Sequence, residues 1–181
     1  MEATKTASDL RYPIGKFAGK KELNEAERET LIAQIAEAPA RLRDAVKGLT
    51  PEQLETPYRP EGWTVRQVVH HVPDSHMNSY VRFKLALTED QPTIKTYDEA
   101  LWAALPDSKS TLVETSLVLL ETLHERWVNL LRSMSPTDFA RQVNHPERGL
   151  ISLDYLVALY GWHGRHHVAH ITSLRERMGW S

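Results

Sequence analysis

The sequence predicts an all-α protein built as a four-helix bundle. Four long segments repeat apolar residues at steps of three and four, which is the pattern of an amphipathic helix. Helix start signals precede three of these segments, and no part of the chain shows a convincing run of strands. The length of 181 residues suits one domain with its own apolar core.

The composition excludes several kinds of function. The chain contains no cysteine, which excludes disulfides, iron–sulfur clusters, cysteine-ligated zinc and a cysteine nucleophile. The net charge of −2 provides no broad positive surface for nucleic acid or for an anionic membrane. No apolar run approaches the ~18 residues of a membrane span, and residues 1–21 lack the apolar region of a signal peptide. We therefore expect a cytoplasmic protein without nucleic-acid or membrane partners.

The N-terminal part of the chain is predicted to differ from the rest. Residues 1–22 contain prolines and glycines and no helical period, so we expect an extended strap packed on the domain. A single metal-binding bundle domain is expected over residues 23–181. Its first helix is predicted over residues 24–48, with Asn24 as the N-cap. Pro39 lies inside this helix and is expected to kink it.

The second long helix is predicted over residues 65–87. Thr64 and Gln67 form a capping box at its start. Pro73 lies within the helical pattern, where we expect a bend and not an end of the helix. A similar start signal at residues 50–53 predicts only one or two helical turns, because further prolines follow it closely.

A long connection leads to the third and fourth long helices. Residues 88–110 exceed what antiparallel neighbours need, and they suit an overhand crossover between the second and third helices of a bundle. This connection contains a short helical piece near residues 98–104. The third helix is predicted over residues 112–134 and the fourth over residues 152–178. Between these two helices, residues 141–151 are predicted to form a loop or a small hairpin.

Several catalytic motifs are absent from the sequence. It contains no glycine-rich dinucleotide fingerprint, no phosphate-binding P-loop and no nucleophile elbow of the α/β-hydrolases. His124-Glu125 begins the zinc-protease motif, but Val128 stands where that motif requires its second histidine. The sequence therefore offers no support for these four classes of protein.

The candidate functional residues are histidines, of which the sequence has nine. His163 and His167 are four residues apart in the fourth helix, so their side chains share one face. They belong to a series with alternating steps of four and three, which marks the core-facing side of a bundle helix: Leu156, Tyr160, His163, His167, His170 and Leu174. Two adjacent buried imidazoles need a polar partner, and a metal ion bound by both would provide one.

A third ligand has to come from another helix. The second helix offers His70-His71, and His71 shares a helical face with Val68 and Ser75. Since His71 and His163 are 163 − 71 = 92 positions apart, this pairing would be tertiary. Three histidines with one open coordination position are typical of a catalytic metal site and not of a closed structural one.

The other histidines leave alternatives open. His166 and His170 form a second pair at the same spacing as His163 and His167, and spacing alone does not choose between the two pairs. Because a single core histidine is more often hydrogen-bonded than metal-bound, we expect hydrogen bonds for three others: His76, His124 and His145.

Several stretches over nearly the whole chain match one known family. They are Tyr12-Pro13-Ile14-Gly15, Thr56-Pro57-Tyr58-Arg59, the run from Gly62 to His71, the run from Asp74 to Tyr80 and the run from Trp162-His163 to Ser181. On these stretches the sequence resembles the DinB/YfiT-like metalloenzymes, and most closely the YfiT group. Members of that group are classed as metal-dependent hydrolases and, in some cases, as bacillithiol transferases. The resemblance implies an up-down-down-up four-helix bundle and a homodimer.

The resemblance also implies a metal site of three histidines, one from the second helix and two from the fourth. The family's motif in the second helix maps to His71-Val72-Pro73-Asp74, which makes His71 the ligand. The motif in the fourth helix maps to His163 and His167 as the other two ligands. Relatives commonly carry alanine where this sequence has Pro73.

These observations together predict a metal-dependent hydrolase. One divalent ion, zinc or nickel, would be held by the three histidines and would activate water for attack on a small-molecule substrate. Asp74, which follows His71 by about one turn, is the candidate for orienting a ligand or accepting a proton. Trp63, Tyr80 and Trp162 are candidates for the walls of the substrate site.

Two other functions stay open at this point. The same site could hold the thiolate of an external low-molecular-weight thiol, which would make the protein a thiol S-transferase of the bacillithiol type. Because the chain has no cysteine, such a thiol has to come from outside the protein. Alternatively, the bundle binds metal without catalysis, in which case we expect a fourth protein ligand or an adventitious ion.

Overall fold

The structure is a computed structural model that describes residues 9–180. Residues 1–8 of the predicted strap, and Ser181 of the last matching stretch, lie outside the described residues. In chain order the elements are α1 (Glu25–Val46), α2 (Pro51–Leu54), α3 (Val65–Thr88), α4 (Glu99–Ala103), α5 (Asp107–Ser110), α6 (Val113–Ser133), α7 (Pro136–Phe139), β1 (Gln142–His145), β2 (Gly149–Ser152) and α8 (Leu153–Met178). None of the helices in this part of the chain is long and apolar enough to cross a membrane.

Most of the helices begin where the sequence carries a start signal. Asn24, Thr50, Thr64 and Ser135 each form a reciprocal capping box with the residue three positions later. α8 ends at Gly179, whose φ of 64° lies in the left-handed region that glycine adopts without strain. α1 and α3 both continue through their internal prolines. The four long helices, α1, α3, α6 and α8, therefore match their predicted bounds within two residues at each end.

Contacts at the helix ends show that α1 and α8 run in the same direction. Near their first turns, Arg28 forms an ion pair with Asp154 at 2.9 Å. Near their last turns, the Arg175 guanidinium donates to the backbone carbonyl of Ala45 at 2.9 Å. Two such contacts at matching ends require a parallel arrangement.

The other two long helices, α3 and α6, are also parallel to each other but antiparallel to α8. The pairs that show this are His70 with Ser116 and Phe83 with Trp127 for α3 and α6, and His71 with His167 and Ser75 with Tyr160 for α3 and α8. The chain therefore runs up, down, down and up through the bundle, and the residues between α3 and α6 form the long crossover. The predicted all-α four-helix bundle is confirmed.

The connections contain more structure than the sequence predicted. α4 forms within the expected residues 98–104, but α5 follows it and was not predicted. Residues 141–151 were left open between a loop and a hairpin, and the structure shows a hairpin in which Val143 pairs with Ile151. The buried side chains of Val143 and Ile151 fasten the hairpin to the core.

The bundle core consists of two apolar clusters separated by histidines. One cluster includes Ile35, Phe83, Trp127, Leu131 and Leu156, and the other includes Leu42, Val65, Val68, Leu120 and Ile171. On three long helices the position between the clusters is a histidine: His76 on α3, His124 on α6 and His163 on α8. Polar rings therefore lie between the two apolar clusters of the bundle.

α8 approaches α1 closely beside these histidines. A Cβ atom placed on Gly164 would lie 2.9 Å from the Cβ atom of Ala38 and 3.7 Å from Cε1 of His76. Carbon atoms that are not bonded to each other pack at ~3.5–4.0 Å. Only glycine therefore fits at this position without moving the helices.

The described part of the strap, residues 9–22, lies along α8. The Trp162 indole donates to the carbonyl of Gly15 at 3.3 Å, and the Phe17 ring packs edge-on against Tyr155. Further along α8, Nε2 of His170 lies 3.1 Å from the carbonyl oxygen of Arg11. The strap therefore reaches the histidine-rich part of α8.

Candidate metal centre

The antiparallel packing of α3 against α8 brings His71, His163 and His167 together. One ring nitrogen of each lies within 4.8 Å of the others. The Nε2 atoms of His163 and His167 are 3.2 Å apart. The His71 ring centroid lies 4.8 Å from that of His167 and 5.4 Å from that of His163. The residues proposed from one helical spacing and one distant helix thus meet in one place.

The spacing and the chemistry of these rings fit a divalent transition metal. Two nitrogen ligands ~2.1 Å from a tetrahedral ion are about 3.4 Å apart, close to the distance between the two Nε2 atoms. Burial lowers the pKa of His71 to about 4 and holds the pKa values of His163 and His167 well below the ordinary value. The three rings are therefore neutral near pH 7, and neutral imidazole is a good ligand for zinc and nickel.

The second histidine pair of α8 also forms a cluster. Ring nitrogens of His166, His167 and His170 lie within 4.8 Å of one another, so the two clusters share His167. The His166 ring stacks on Trp162 at 4.2 Å between centroids, and the His170 ring stacks on Tyr58 at 4.0 Å. Only the cluster of His71, His163 and His167 joins two helices of the bundle, whereas this one lies entirely on α8.

A cavity of about 410 Å³ opens onto both clusters. Its wall contains five histidines, four other aromatic side chains and four charged ones: His71, His163, His166, His167, His170, Tyr12, Tyr58, Trp63, Trp162, Arg11, Arg59, Glu61 and Glu99. Trp63 and Trp162 thus occupy the wall as predicted, whereas Tyr80 is not among the residues that line this cavity. A space of this size accommodates a small molecule beside the three histidines.

Asp74 occupies a half-buried position on α3. Burial, and then the nearby Asp107 carboxylate, raise its pKa to about 6. It does not line the cavity, and among residues 9–180 its side chain makes no hydrogen bond to His71, His163 or His167. Its part in orienting a ligand or accepting a proton stays a prediction.

Glu99 is a functional candidate that the sequence analysis did not identify. It lies at the start of α4 and lines the cavity described above as well as a second one of about 500 Å³, and both cavities are also lined by His163. Burial raises the pKa of Glu99, and the neighbouring Asp98 raises it further. The short helix was predicted near residues 98–104, but no sequence pattern indicated that its first turn faces the histidines.

The histidines predicted to be hydrogen-bonded have such partners. Nδ1 of His163 lies 3.0 Å from Nε2 of His76, and Nδ1 of His76 lies 2.7 Å from Nε2 of His124. Nδ1 of His124 donates to the carbonyl of Ile35 at 2.7 Å. His145, on the hairpin, accepts from the backbone N–H of Glu147 at 3.2 Å. The first three of these bonds join the candidate metal centre to the middle of the bundle.

Comparison with known proteins identifies the family. The family model described as the DinB superfamily matches residues 34–171, a span that contains all three histidines of the centre. The chain belongs to the DinB superfamily. A protein from Bacillus cereus (strain ATCC 10987 / NRS 248) is 59% identical over 173 residues, covering 96% of this chain and 99% of the relative. One from Bacillus anthracis (strain CDC 684 / NRRL 3495) is 58% identical over the same length and with the same coverage. Both relatives carry the name “Putative metal-dependent hydrolase”.

Solved structures agree with the fold of this DinB-superfamily protein. YfiT from Bacillus subtilis, described as a probable metal-dependent hydrolase with an unusual four-helix bundle topology, superposes with a TM-score of 0.93 at 50% identity. That comparison covers 95% of this chain and 99% of YfiT. The four-helix bundle protein TT2238 has a TM-score of 0.55 at 17% identity over 85% of this chain and 99% of its own, which shows a shared fold alone.

Proposed function

We propose that this protein is a metal-dependent hydrolase whose His71, His163 and His167 hold one divalent ion, zinc or nickel. The observation that carries the proposal is the convergence of three neutral imidazoles, two buried and one partly buried, from two helices on one position beside a cavity. The names of the close relatives support the same class of activity. Three protein ligands leave a coordination position free for water or substrate.

Each part of the site contributes a separate physical effect. When bound, the ion lowers the pKa of a coordinated water toward ~7 and so supplies a nucleophile near neutral pH. The rings of Trp63 and Trp162 provide apolar surface that holds a substrate and excludes bulk water. Glu99 lines the same cavity and has a raised pKa, which suits a group that accepts a proton from water. We assign it that role in preference to Asp74, because Asp74 does not line the cavity.

A thiol S-transferase is the second candidate function, and the Arg59 side chain in the cavity wall favours it. Arg11 and Arg59 both line the cavity. The Arg59 guanidinium is hydrogen-bonded to the Tyr58 hydroxyl and the Pro60 carbonyl, so its charge is available to an anionic small molecule. A metal stabilises a thiolate as it stabilises hydroxide, and the chain has no cysteine of its own. The proposed substrate in both cases is a small molecule.

The first experiment measures the metal content of the purified protein by mass spectrometry. We expect about one equivalent in the wild type and in a His166→Ala control, and loss of metal from His71→Ala, His163→Ala and His167→Ala. The control also tests the cluster that lies entirely on α8, because that cluster includes His166. Metal that persists in the three variants, or that is absent from the reconstituted wild type, would overturn the ligand assignment.

The second experiment separates the two activities. Turnover of electrophilic esters, amides and epoxides is followed with water alone and with an added low-molecular-weight thiol. Turnover without thiol supports the hydrolase, and turnover only with thiol supports the transferase. If a metal-loaded protein shows neither activity and chelation leaves its stability unchanged, the non-catalytic alternative holds.

The resemblance to the family also implies a homodimer, which we retain as a proposal. Light scattering coupled to size-exclusion chromatography tests it directly. The expected mass is twice the 20.7 kDa of one chain. A mass equal to one chain at micromolar concentration would contradict it.

A further inference from the structure

A chain of hydrogen bonds leads from the candidate metal centre to a backbone carbonyl inside the bundle. It runs from His163 through His76 and His124 to the carbonyl oxygen of Ile35, with successive distances of 3.0, 2.7 and 2.7 Å. His76 is 0% exposed and His124 is 2% exposed, so water does not compete for these bonds. A carbonyl oxygen only accepts hydrogen bonds, and this fixes the direction of every bond in the chain.

The direction determines which nitrogen of each ring carries the hydrogen. Since Ile35 can only accept, Nδ1 of His124 is the N–H, and Nε2 of that neutral ring is an acceptor. His76 therefore donates from Nδ1 to His124 and accepts at Nε2. His163 in turn donates from Nδ1 to His76, which leaves its Nε2 with a free lone pair.

A second, shorter chain gives the same result for His167. Nε2 of His170 lies 3.1 Å from the carbonyl oxygen of Arg11, so it donates to that oxygen and Nδ1 of His170 is an acceptor. Nδ1 of His167 lies 3.3 Å from Nδ1 of His170 and therefore carries the hydrogen. Nε2 of His167 is then the atom with the free lone pair.

The two chains end at atoms that face each other. Nε2 of His163 and Nε2 of His167 are 3.2 Å apart, and both are acceptors, so no hydrogen bond can form between them. Two lone pairs at this distance in a partly buried site repel each other unless a positive charge lies next to both. A bound metal ion supplies that charge and uses both lone pairs.

We propose that His76, His124 and His170 are positioning residues, which set the tautomers of His163 and His167 so that both Nε2 lone pairs point at one metal position. The inference rests on the proposed function, since it assigns these three residues to the same centre. It also explains why the N-terminal strap contacts α8 at this height, because Arg11 of the strap supplies the carbonyl that orients His170. A purely space-filling network would have no reason to direct two acceptors at each other.

The direct test reads the tautomers of the metal-free wild-type protein. Two-bond ¹H–¹⁵N correlation spectra of ¹⁵N-histidine-labelled protein distinguish a ring with hydrogen on Nδ1 from one with hydrogen on Nε2. We expect hydrogen on Nδ1 for His76, His124, His163 and His167, and on Nε2 for His170. Hydrogen on Nε2 of His163 or of His167 would overturn the inference, and this measurement needs no variant.

A second test measures zinc affinity by competition with a chelator. We expect His76→Leu and His170→Leu to weaken zinc binding by about 10–100-fold, which is the usual effect of losing a partner behind a histidine ligand. His76→Gln keeps an acceptor for the Nδ1 hydrogen of His163 and should recover much of the affinity. The matched control is His70→Leu, because His70 is equally buried and bonded, to Ser116 and Thr111, but lies outside both chains.

The outcomes separate this inference from the proposed function. A wild-type protein that binds no zinc refutes the metal centre, whatever the tautomers are. A wild type that binds zinc while its metal-free form carries hydrogen on Nε2 of His163 refutes only the present inference. The inference is also wrong if folded His76→Leu binds zinc as tightly as the His70→Leu control. If His76→Leu does not fold, the wild-type spectra and the His170→Leu affinity decide the question.

Discussion

Replacing Gly164 by alanine should force α1 and α8 apart beside the metal centre. The added Cβ would lie 2.9 Å from the Cβ of Ala38, whereas carbon atoms pack at ~3.5–4.0 Å, so the helices have to separate by about 0.6–1.1 Å. The Ala38 Cβ is bonded directly to the α1 backbone, and no rotamer change can relieve the contact. Overpacking of this kind costs about 1–3 kcal/mol. Alanine is favoured over glycine in a helix by about 1 kcal/mol, which offsets part of this cost. We therefore expect the free energy of unfolding to fall by about 1 kcal/mol.

Gly161, one turn earlier in α8, provides a matched control. A Cβ there would meet Cδ2 of Leu31 at 2.8 Å, but that atom is the tip of a flexible side chain and can move. Gly161→Ala should therefore keep most of the helix-propensity gain and be about 1–2 kcal/mol more stable than Gly164→Ala. Urea denaturation followed by circular dichroism measures both variants. Equal stability of the two variants would refute the reasoning.

A double-mutant cycle tests the cause of the loss. Ala38→Gly removes the other Cβ of the close contact, so it should relieve the overpacking when it is combined with Gly164→Ala. We expect a favourable coupling free energy of about 1–3 kcal/mol between the two positions. Additive effects would show that the two helices do not clash at this point. We also expect Gly164→Ala to weaken zinc binding, because the helix movement displaces His163.

Three further predictions concern charge and protonation. Asp154→Asn removes a charge from an ion pair whose carboxylate is 8% exposed, and urea denaturation should show that the free energy of unfolding falls by about 3–5 kcal/mol. Glu37→Gln, in an exposed ion pair, should lower the free energy of unfolding by less than ~0.5 kcal/mol. In the assay that establishes activity, Glu99→Gln should lower kcat by about 100-fold or more with metal content unchanged, whereas Glu125→Gln on exposed α6 surface should not lower it. Burial lowers the pKa of His124 to about 4. Below about pH 6.5 this histidine binds a proton in the unfolded chain but not in the folded protein, which favours unfolding. The free energy of unfolding of the metal-free protein should therefore fall by about 1 kcal/mol between pH 7 and about pH 5.5 because of this residue. His124→Gln should make the free energy of unfolding depend less on pH over that range.

Each of these predictions has its own contradicting result. Asp154→Asn and Glu37→Gln of equal stability would mean that the buried pair contributes no more than a surface pair. Full kcat in Glu99→Gln would remove that residue from the mechanism and return attention to Asp74. An unchanged pH profile in His124→Gln would mean that His124 does not account for the loss of stability in acid.

Most element boundaries could be predicted because the signals that set them are local. The capping boxes at Thr50 and Thr64 involve residues only three positions apart, and the apolar period of each long helix is visible within a few turns. α5 was missed because its N-cap, Pro106, offers no side-chain hydrogen bond to recognise. Residues 141–151 stayed open between a loop and a hairpin because the pairing of two four-residue strands depends on what they pack against.

Part of the site could also be predicted from the sequence. The four-residue spacing places His163 and His167 on one face by helix geometry alone, and their position in the apolar series implies burial. Spacing could not separate them from His166 and His170, and the resemblance to the family favoured the first pair. The structure shows that both pairs take part in nitrogen clusters, which share His167.

The sequence by itself therefore determined the long helices, their caps and the histidine face of α8, since these depend on interactions within a few turns of one helix. Only the tertiary structure decided which side chains meet across helices: His71 with His167, Glu99 with the cavity, and His163 with His76 and His124. It also decided the direction of the hydrogen-bond chains, because that depends on a carbonyl of α1 and a carbonyl of the strap. Such contacts join residues far apart in the chain, and their partners follow from how four helices pack and not from any local pattern.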